Sequence, residues 1–177
     1  MDFNRSFASD NYAGAHPEVL RAIGLANQGH ARAYGDDNQT LAVTEIVKGL
    51  FGKDSSAYFV FNGTAANTLS ILSLTKPYHS VLSPMSAHIH MDECGAPEFI
   101  TRCKLHALPT TNGKIMASQI VGYCHRLGDI HSSQPKVVSI SQPTECGTLY
   151  SLEELSEICR TAHELGLYVH VDGARIA

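Results

Sequence analysis

Three short stretches of the sequence hold side chains that could do chemistry, and each also has an ordinary structural reading. Asp172-Gly173-Ala174-Arg175 follows the apolar run LYVHV at 167–171. An acidic residue after a strand is often a cap or a solvated turn. Here an aspartate and an arginine bracket a turn that Gly173 frees, and strand alternation sets His170 and Asp172 on one face. A carboxylate in that position can keep a heteroaromatic nitrogen protonated and its ring electron-poor. Asn62-Gly63-Thr64 lies between the run AYFVFN at 57–62 and a helix-like stretch from Thr64 to Leu74. A helix N-terminus offers unpaired N–H groups and a positive dipole end to a phosphate; a turn with a threonine cap is the plainer account. Ser86-Ala87-His88-Ile89-His90 contains two alternating imidazoles. No third ligand at metal-site spacing accompanies them, which argues against a metal and leaves a structural histidine or an imidazole stacked on a flat ring.

The elements that must position these residues follow from periodicity. Pro17, Val19, Ile23 and Ala26 mark a short first helix. Val43, Ile46, Val47 and Leu50 fall at i, i+3, i+4 and i+7, so Gln39 to Phe51 reads as an amphipathic helix closed by Gly52. The runs at 57–62, HSVLS at 79–83, KLHAL at 104–108, KVVSIS at 136–141 and LYVHV at 167–171 have strand length. The stretch 86–100 reads as irregular or helical. Met116, Ile120, Tyr123 and Leu127 predict one helix face. Ser151 and Glu154 form a capping box for a helix whose apolar face is Leu155, Ile158, Cys159 and Ala162, with Gly166 placed to stop it. Strands alternating with helices predict a three-layer α/β/α fold with a mostly parallel sheet, whose ligands bind beyond the carboxyl ends of the strands.

Composition narrows the partners. The chain has 177 residues, 44 % hydrophobic and 17 % charged, with a net charge of −4. That is enough for a packed core, and it gives no electrostatic footprint for nucleic acid. No apolar run is long enough to span a bilayer, and Met1 to Asp10 lacks the apolar stretch of a signal peptide. The five cysteines, 94, 103, 124, 146 and 159, contain no CxxC pair. Reduced thiols in a cytoplasmic protein are expected. There is no GxGxxG and no P-loop.

Six motifs stand in order: FASDNYAG near the start, RAYGDD at 32–37, FNGTAAN at 61–67, SAHIHMDECGAPE at 86–98, SQPTECGT at 141–148 and HVDGARIA at 170–177. Together they resemble the low-specificity L-threonine aldolases over essentially the whole chain. The resemblance implies pyridoxal 5'-phosphate (PLP) as cofactor, the aspartate-aminotransferase type of fold, and cleavage of L-threonine or L-allo-threonine to glycine and acetaldehyde. It implies that Gly63 and Thr64 hold the cofactor phosphate, His88 stacks on the ring, and Asp172 pairs with its nitrogen. Arg175 would lie near the ring's phenolic oxygen and the substrate carboxylate. Ser9 would help bind that carboxylate, and Tyr34 and Asp37 would lie in a loop near the site at a subunit interface.

Two departures from the family pattern matter. Many threonine aldolases have a histidine where this chain has Glu145, a residue placed on the β-hydroxyl side of the site; a carboxylate with a pKa raised by burial could do the same proton transfer. The family's cofactor lysine lies beyond the DGAR motif, whereas the six lysines here, 48, 53, 76, 104, 114 and 136, all precede Asp172. The expected organisation is an N-terminal arm with a short helix at 1–35 and an incomplete PLP-binding large domain at 36–177, without the small C-terminal domain. This polypeptide alone is expected not to bind the cofactor covalently or turn over threonine. Exposed strand edges favour pairing, so a homodimer or homotetramer is expected. The alternatives are another β-hydroxy-amino-acid aldolase or a β-eliminating lyase on the same scaffold, or a non-catalytic binding or dimerisation module.

Overall fold

The computed structural model describes Ser6 and residues 9–175. The chain divides into two compact units, residues 1–58 and 59–177. In the first, α1 (Pro17–Ala26) and α2 (Asn38–Phe51) have no buried residue. The amphipathic stripe of α2 is present as predicted, yet Ile46 and Leu50 face solvent.

The second unit contains α3 (Gly63–Leu74), β1 (His79–Pro84), α4 (His88–Met91), α5 (Ala96–Thr101), β2 (Lys104–Leu108), α6 (Ala117–Tyr123), β3 (Gln134–Ser141), α7 (Leu152–Glu164) and β4 (Tyr168–Asp172). Among the described residues its four strands are all parallel, in the order β2-β1-β3-β4. Helices lie on both faces. Val81 and Val137 pack with Ile71 of α3 and Ile89 of α4. Leu82, Val138 and Ile140 point to the other face and pack with Ile120, Ile158 and Ala162 of α6 and α7. This is the side-chain alternation of strands buried on both sides, and it makes the three-layer α/β/α arrangement. No helix among the described residues is long and apolar enough to cross a membrane.

Helix α7 starts and stops where its residues dictate. Ser151 Oγ accepts from Glu154 N at 3.2 Å and Glu154 Oε2 accepts from Ser151 N at 2.7 Å. At the other end Gly166 takes φ +72°, in the left-handed region a glycine enters without strain, and Leu167 N donates back to Ala162 O.

Two expectations are corrected. Residues 57–62 form no strand: the described sheet ends at β2 and β4, and this run pairs with neither. An apolar run becomes a strand only where a neighbour takes up its N–H and C=O groups, and here Tyr58 and Phe61 are 86 % and 97 % exposed. The face predicted for α6 is also out of phase. Its buried residues are Ala117 and Ile120, continued by Cys124, while Met116 is an exposed N-cap. Of the predicted stripe Ile120 is buried, and the Gln119 side chain closes the helix start by accepting from Met116 N and donating to Pro109 O.

Candidate active site

Strand order places the site. From β1 the chain goes to β2 on one side, and from β3 to β4 on the other, so the direction of winding reverses between β1 and β3. Ligands of open α/β sheets bind outside the carboxyl ends of the strands at such a switch point. The segment after β1 carries His88 and the loop after β3 carries Glu145.

Toward that end, the α3-facing side of the sheet changes from apolar to polar. Val137 is followed in alternation by Ser139 and Ser141, whose register partners on β4 are His170 and Asp172. Ser139 Oγ lies 2.9 Å from His170 Nδ1. Burial pushes the His170 pKa below the ordinary imidazole value, against the pull of Asp172 and Glu93.

Asp172 is held from two directions. Its Oδ2 accepts from Asn67 Nδ2 at 3.0 Å, and its Oδ1 from Ala174 N at 3.1 Å. Asn67, buried on α3, gives its second N–H to Glu93 Oε1 at 2.8 Å. The same Glu93 oxygen lies 2.9 Å from His88 Nδ1. An amide oxygen turned toward the two carboxylates would repel them, so it is the amide nitrogen of Asn67 that sits between Asp172 and Glu93. Likewise His88 Nδ1 must carry the proton in that contact, which turns Nε2 outward. The hydrogen bond to Glu93 raises the His88 pKa above the ordinary value; burial opposes it, and Glu145 and Asp92 add to it. The ring itself is 38 % exposed in its side chain, while the side chain of Glu93 is 0 % exposed.

The N-terminus of α3 is nearby. Asn67 lies one turn along α3 from Gly63, about 6 Å of helix axis. Asn62 takes up Ala65 N with its side chain and Ala66 N with its carbonyl. Among the described residues this leaves the N–H groups of Gly63 and Thr64 as the open donors of the terminus. A Cβ built on Gly63 would meet nothing within 4 Å, so the approach to those donors is open.

Glu145 and Arg175 meet at 3.5 Å, with their side chains 24 % and 50 % exposed. Arg175 therefore pairs with Glu145 instead of closing the turn with Asp172. The loop bearing Glu145 is tied down by Gln142, whose backbone N donates to Asp172 O and whose side chain makes two hydrogen bonds to the Tyr150 backbone. His90 lies exposed at the surface beside the site's first histidine.

The other expected site residues lie in the first unit. Ser9 Oγ accepts from Asn11 N. Tyr34 is fully exposed with φ +64°. Asp37 caps α2, accepting from Thr40 N at 2.8 Å and Thr40 Oγ1 at 2.7 Å, and these bonds hold its pKa below the usual carboxylate value. The two residues that sequence reasoning missed are Asn67 and Glu93. Both lie inside the family-like motifs; the signal for Asn67 was a polar residue within the apolar stretch of α3, and Glu93 carries no such local signal.

Fold and site thus define a three-layer α/β/α protein whose polar groups gather at the carboxyl ends of a parallel sheet, beside a helix N-terminus. The chain belongs to the beta-eliminating lyase family, whose model matches residues 6–177. It is 45 % identical over 177 residues to the low specificity L-threonine aldolase of Pseudomonas aeruginosa, an overlap of 99 % of this chain and 51 % of that protein. The corresponding enzyme of Saccharomyces cerevisiae is 30 % identical over 171 residues, covering 95 % of this chain and 43 % of the other. A threonine aldolase structure from Leishmania major superposes with a TM-score of 0.88 at 30 % identity, over 93 % of this chain and 48 % of that one. An aminotransferase from Mycobacterium tuberculosis, 15 % identical with a TM-score of 0.62 over 91 % and 44 %, shares the fold. The chain spans about half the length of the curated relatives it matches.

Proposed function

We propose that the whole protein is a PLP-dependent carbon–carbon lyase that cleaves L-threonine and L-allo-threonine to glycine and acetaldehyde. The observation that carries this reading is the hydrogen-bonded series Asp172–Asn67–Glu93–His88, set one helical turn from the open N–H groups of α3. Those groups fit a flat, phosphate-bearing heteroaromatic ring. The N–H groups of Gly63 and Thr64 would hold the phosphate, Asp172 the ring nitrogen, and His88 one face of the ring. The cofactor, when bound, supplies an electron sink for the bond broken at the substrate's α-carbon.

The chain's own residues do the rest. Asp172 keeps its carboxylate aimed by two hydrogen bonds, so its charge is available to a protonated nitrogen. Arg175 is the cation offered to a substrate carboxylate, and Ser9, Tyr34 and Asp37 are the substrate-side residues that the family resemblance assigns. Glu145 and His88 are the two groups placed to take or return the β-hydroxyl proton. The assembly is a homodimer or homotetramer working in the cytoplasm, with the site near a subunit interface.

Products decide the matter. The whole protein given L-threonine, L-allo-threonine and phenylserine should release glycine and the matching aldehyde. Ammonia and a keto acid without glycine would mean a β-eliminating lyase instead, and no product with cofactor bound would mean a binding module.

A further inference from the structure

Glu93 has no part in the chemistry derived so far, and the fold gives little reason for it. Its side chain is fully buried, and its Oε2 has no hydrogen-bond partner among the described residues. A buried carboxylate with an unpaired oxygen costs stability, so its presence points to a role other than folding. What it touches indicates the role. One oxygen, Oε1, lies 2.9 Å from His88 Nδ1 and accepts from Asn67 Nδ2, whose remaining N–H goes to Asp172.

We propose that Glu93 is the positioning residue of the site: its buried carboxylate fixes the tautomer and angle of the His88 ring and, through Asn67, the direction of the Asp172 carboxylate. One side chain thereby sets both groups that bracket the cofactor ring. Because Oε1 is shared, a shift of Glu93 moves both together. The inference rests on reading His88 and Asp172 as the cofactor's ring contacts. It makes Glu93 the counter-charge that raises the proton affinity of His88 and, in the neutral ring, holds the proton on Nδ1 and leaves Nε2 free, as an orienting carboxylate does for other functional imidazoles. The charged and titratable groups around this pair are Asp92 beside Glu93, Asp172 and His170 on β4, and Glu145 with its partner Arg175 on the loop side. Of these only Glu93 bonds the ring directly.

The test uses nitrogen–proton correlation spectra of the histidine side chains in the whole protein, first without and then with PLP. In the unsubstituted protein His88 should titrate above 6.5, the ordinary value, and its neutral form should be the Nδ1–H tautomer. Glu93→Gln keeps an acceptor at Oε1 and removes the charge. The tautomer should persist while the midpoint falls by about one pH unit, the low end of what an adjacent opposite charge contributes. Asn67→Ala removes the link between Glu93 and Asp172 and leaves the Glu93–His88 contact in place: the His88 midpoint should stay raised, and PLP affinity should fall about tenfold. A His88 midpoint unmoved by Glu93→Gln would overturn the proposal, as would full PLP affinity in Asn67→Ala. Neither readout needs substrate, so absence of threonine cleavage would count against the function proposed above and leave this inference standing.

Discussion

The two faces of the sheet are made from the same four strands and end differently. Under α6 and α7 the inward residues stay apolar to the end of the strand: Val138, then Ile140, closed over by Ile120, Ile158 and the buried ring of Tyr150. Tyr150 carries its hydroxyl as an acceptor for Ile115 N, and burial pushes its pKa up to about 12, so it remains a neutral packing residue. Under α3 the row begins with Val81 and Val137 and then turns polar through Ser83, Ser139 and Ser141. The polar side chains of the site, from Asn67 to Asp172, lie on that face. One face anchors the sheet and the other gives its carboxyl end to the polar groups of the candidate site; such a division lets a rigid scaffold hold groups that cost stability.

That division can be broken from either side. Ile140→Ala should remove about 2–5 kcal/mol of stability by denaturant unfolding, with the His88 titration midpoint unchanged. A shifted midpoint would mean that the two faces are not separable. Ser139→Ala leaves the His170 ring nitrogen without its partner and should cost about 1–3 kcal/mol. Ser151→Ala removes the α7 cap and should cost about 1 kcal/mol, with PLP affinity intact.

The smallest effect is a pair of opposite pH dependences. His170 has a lowered folded pKa, so its neutral form carries no penalty above the unfolded value of 6.5, and stability falls as pH drops from there through the folded value. His88 has a raised folded pKa, so its contact with Glu93 contributes fully below 6.5 and is lost as pH rises through the folded midpoint. Unfolding midpoints measured from about pH 5 to 8 should therefore lose their acid-side decline in His170→Gln and flatten on the alkaline side in His88→Gln.

Much of this scaffold was legible because its signals are local. KVVSIS has the apolar density of a doubly covered strand, and Ser151, Glu154 and Gly166 mark the ends of α7 within a few residues of one another. Asp172 and the turn at Gly63 stand out as candidates because a strand end or a helix start is visible in the sequence, and His88 because two imidazoles alternate there. Residues 57–62 misled because their apolar content signals burial, whereas strand formation depends on a neighbour that no local pattern names. Asn67 and its contact with Glu93 went unmarked for the same reason: the partners of Asn67, Glu93 and Asp172, lie 26 and 105 residues away, and no periodicity connects a turn after α4 to the inner side of α3 or the end of β4. The pairing of Arg175 with Glu145 likewise joins two loops that the sequence leaves separate.

The central claim is that the carboxyl end of the α3 face binds a cofactor through the Asp172 charge. The dissociation constant of PLP for the whole protein tests it, measured for the unsubstituted protein and for Asp172→Asn, which keeps an acceptor for Asn67 and Ala174 and removes the charge, with the melting temperature as control. Loss of one charge-assisted contact should weaken binding about ten- to hundredfold while the melting temperature holds. Equal affinities in the two proteins would contradict the account.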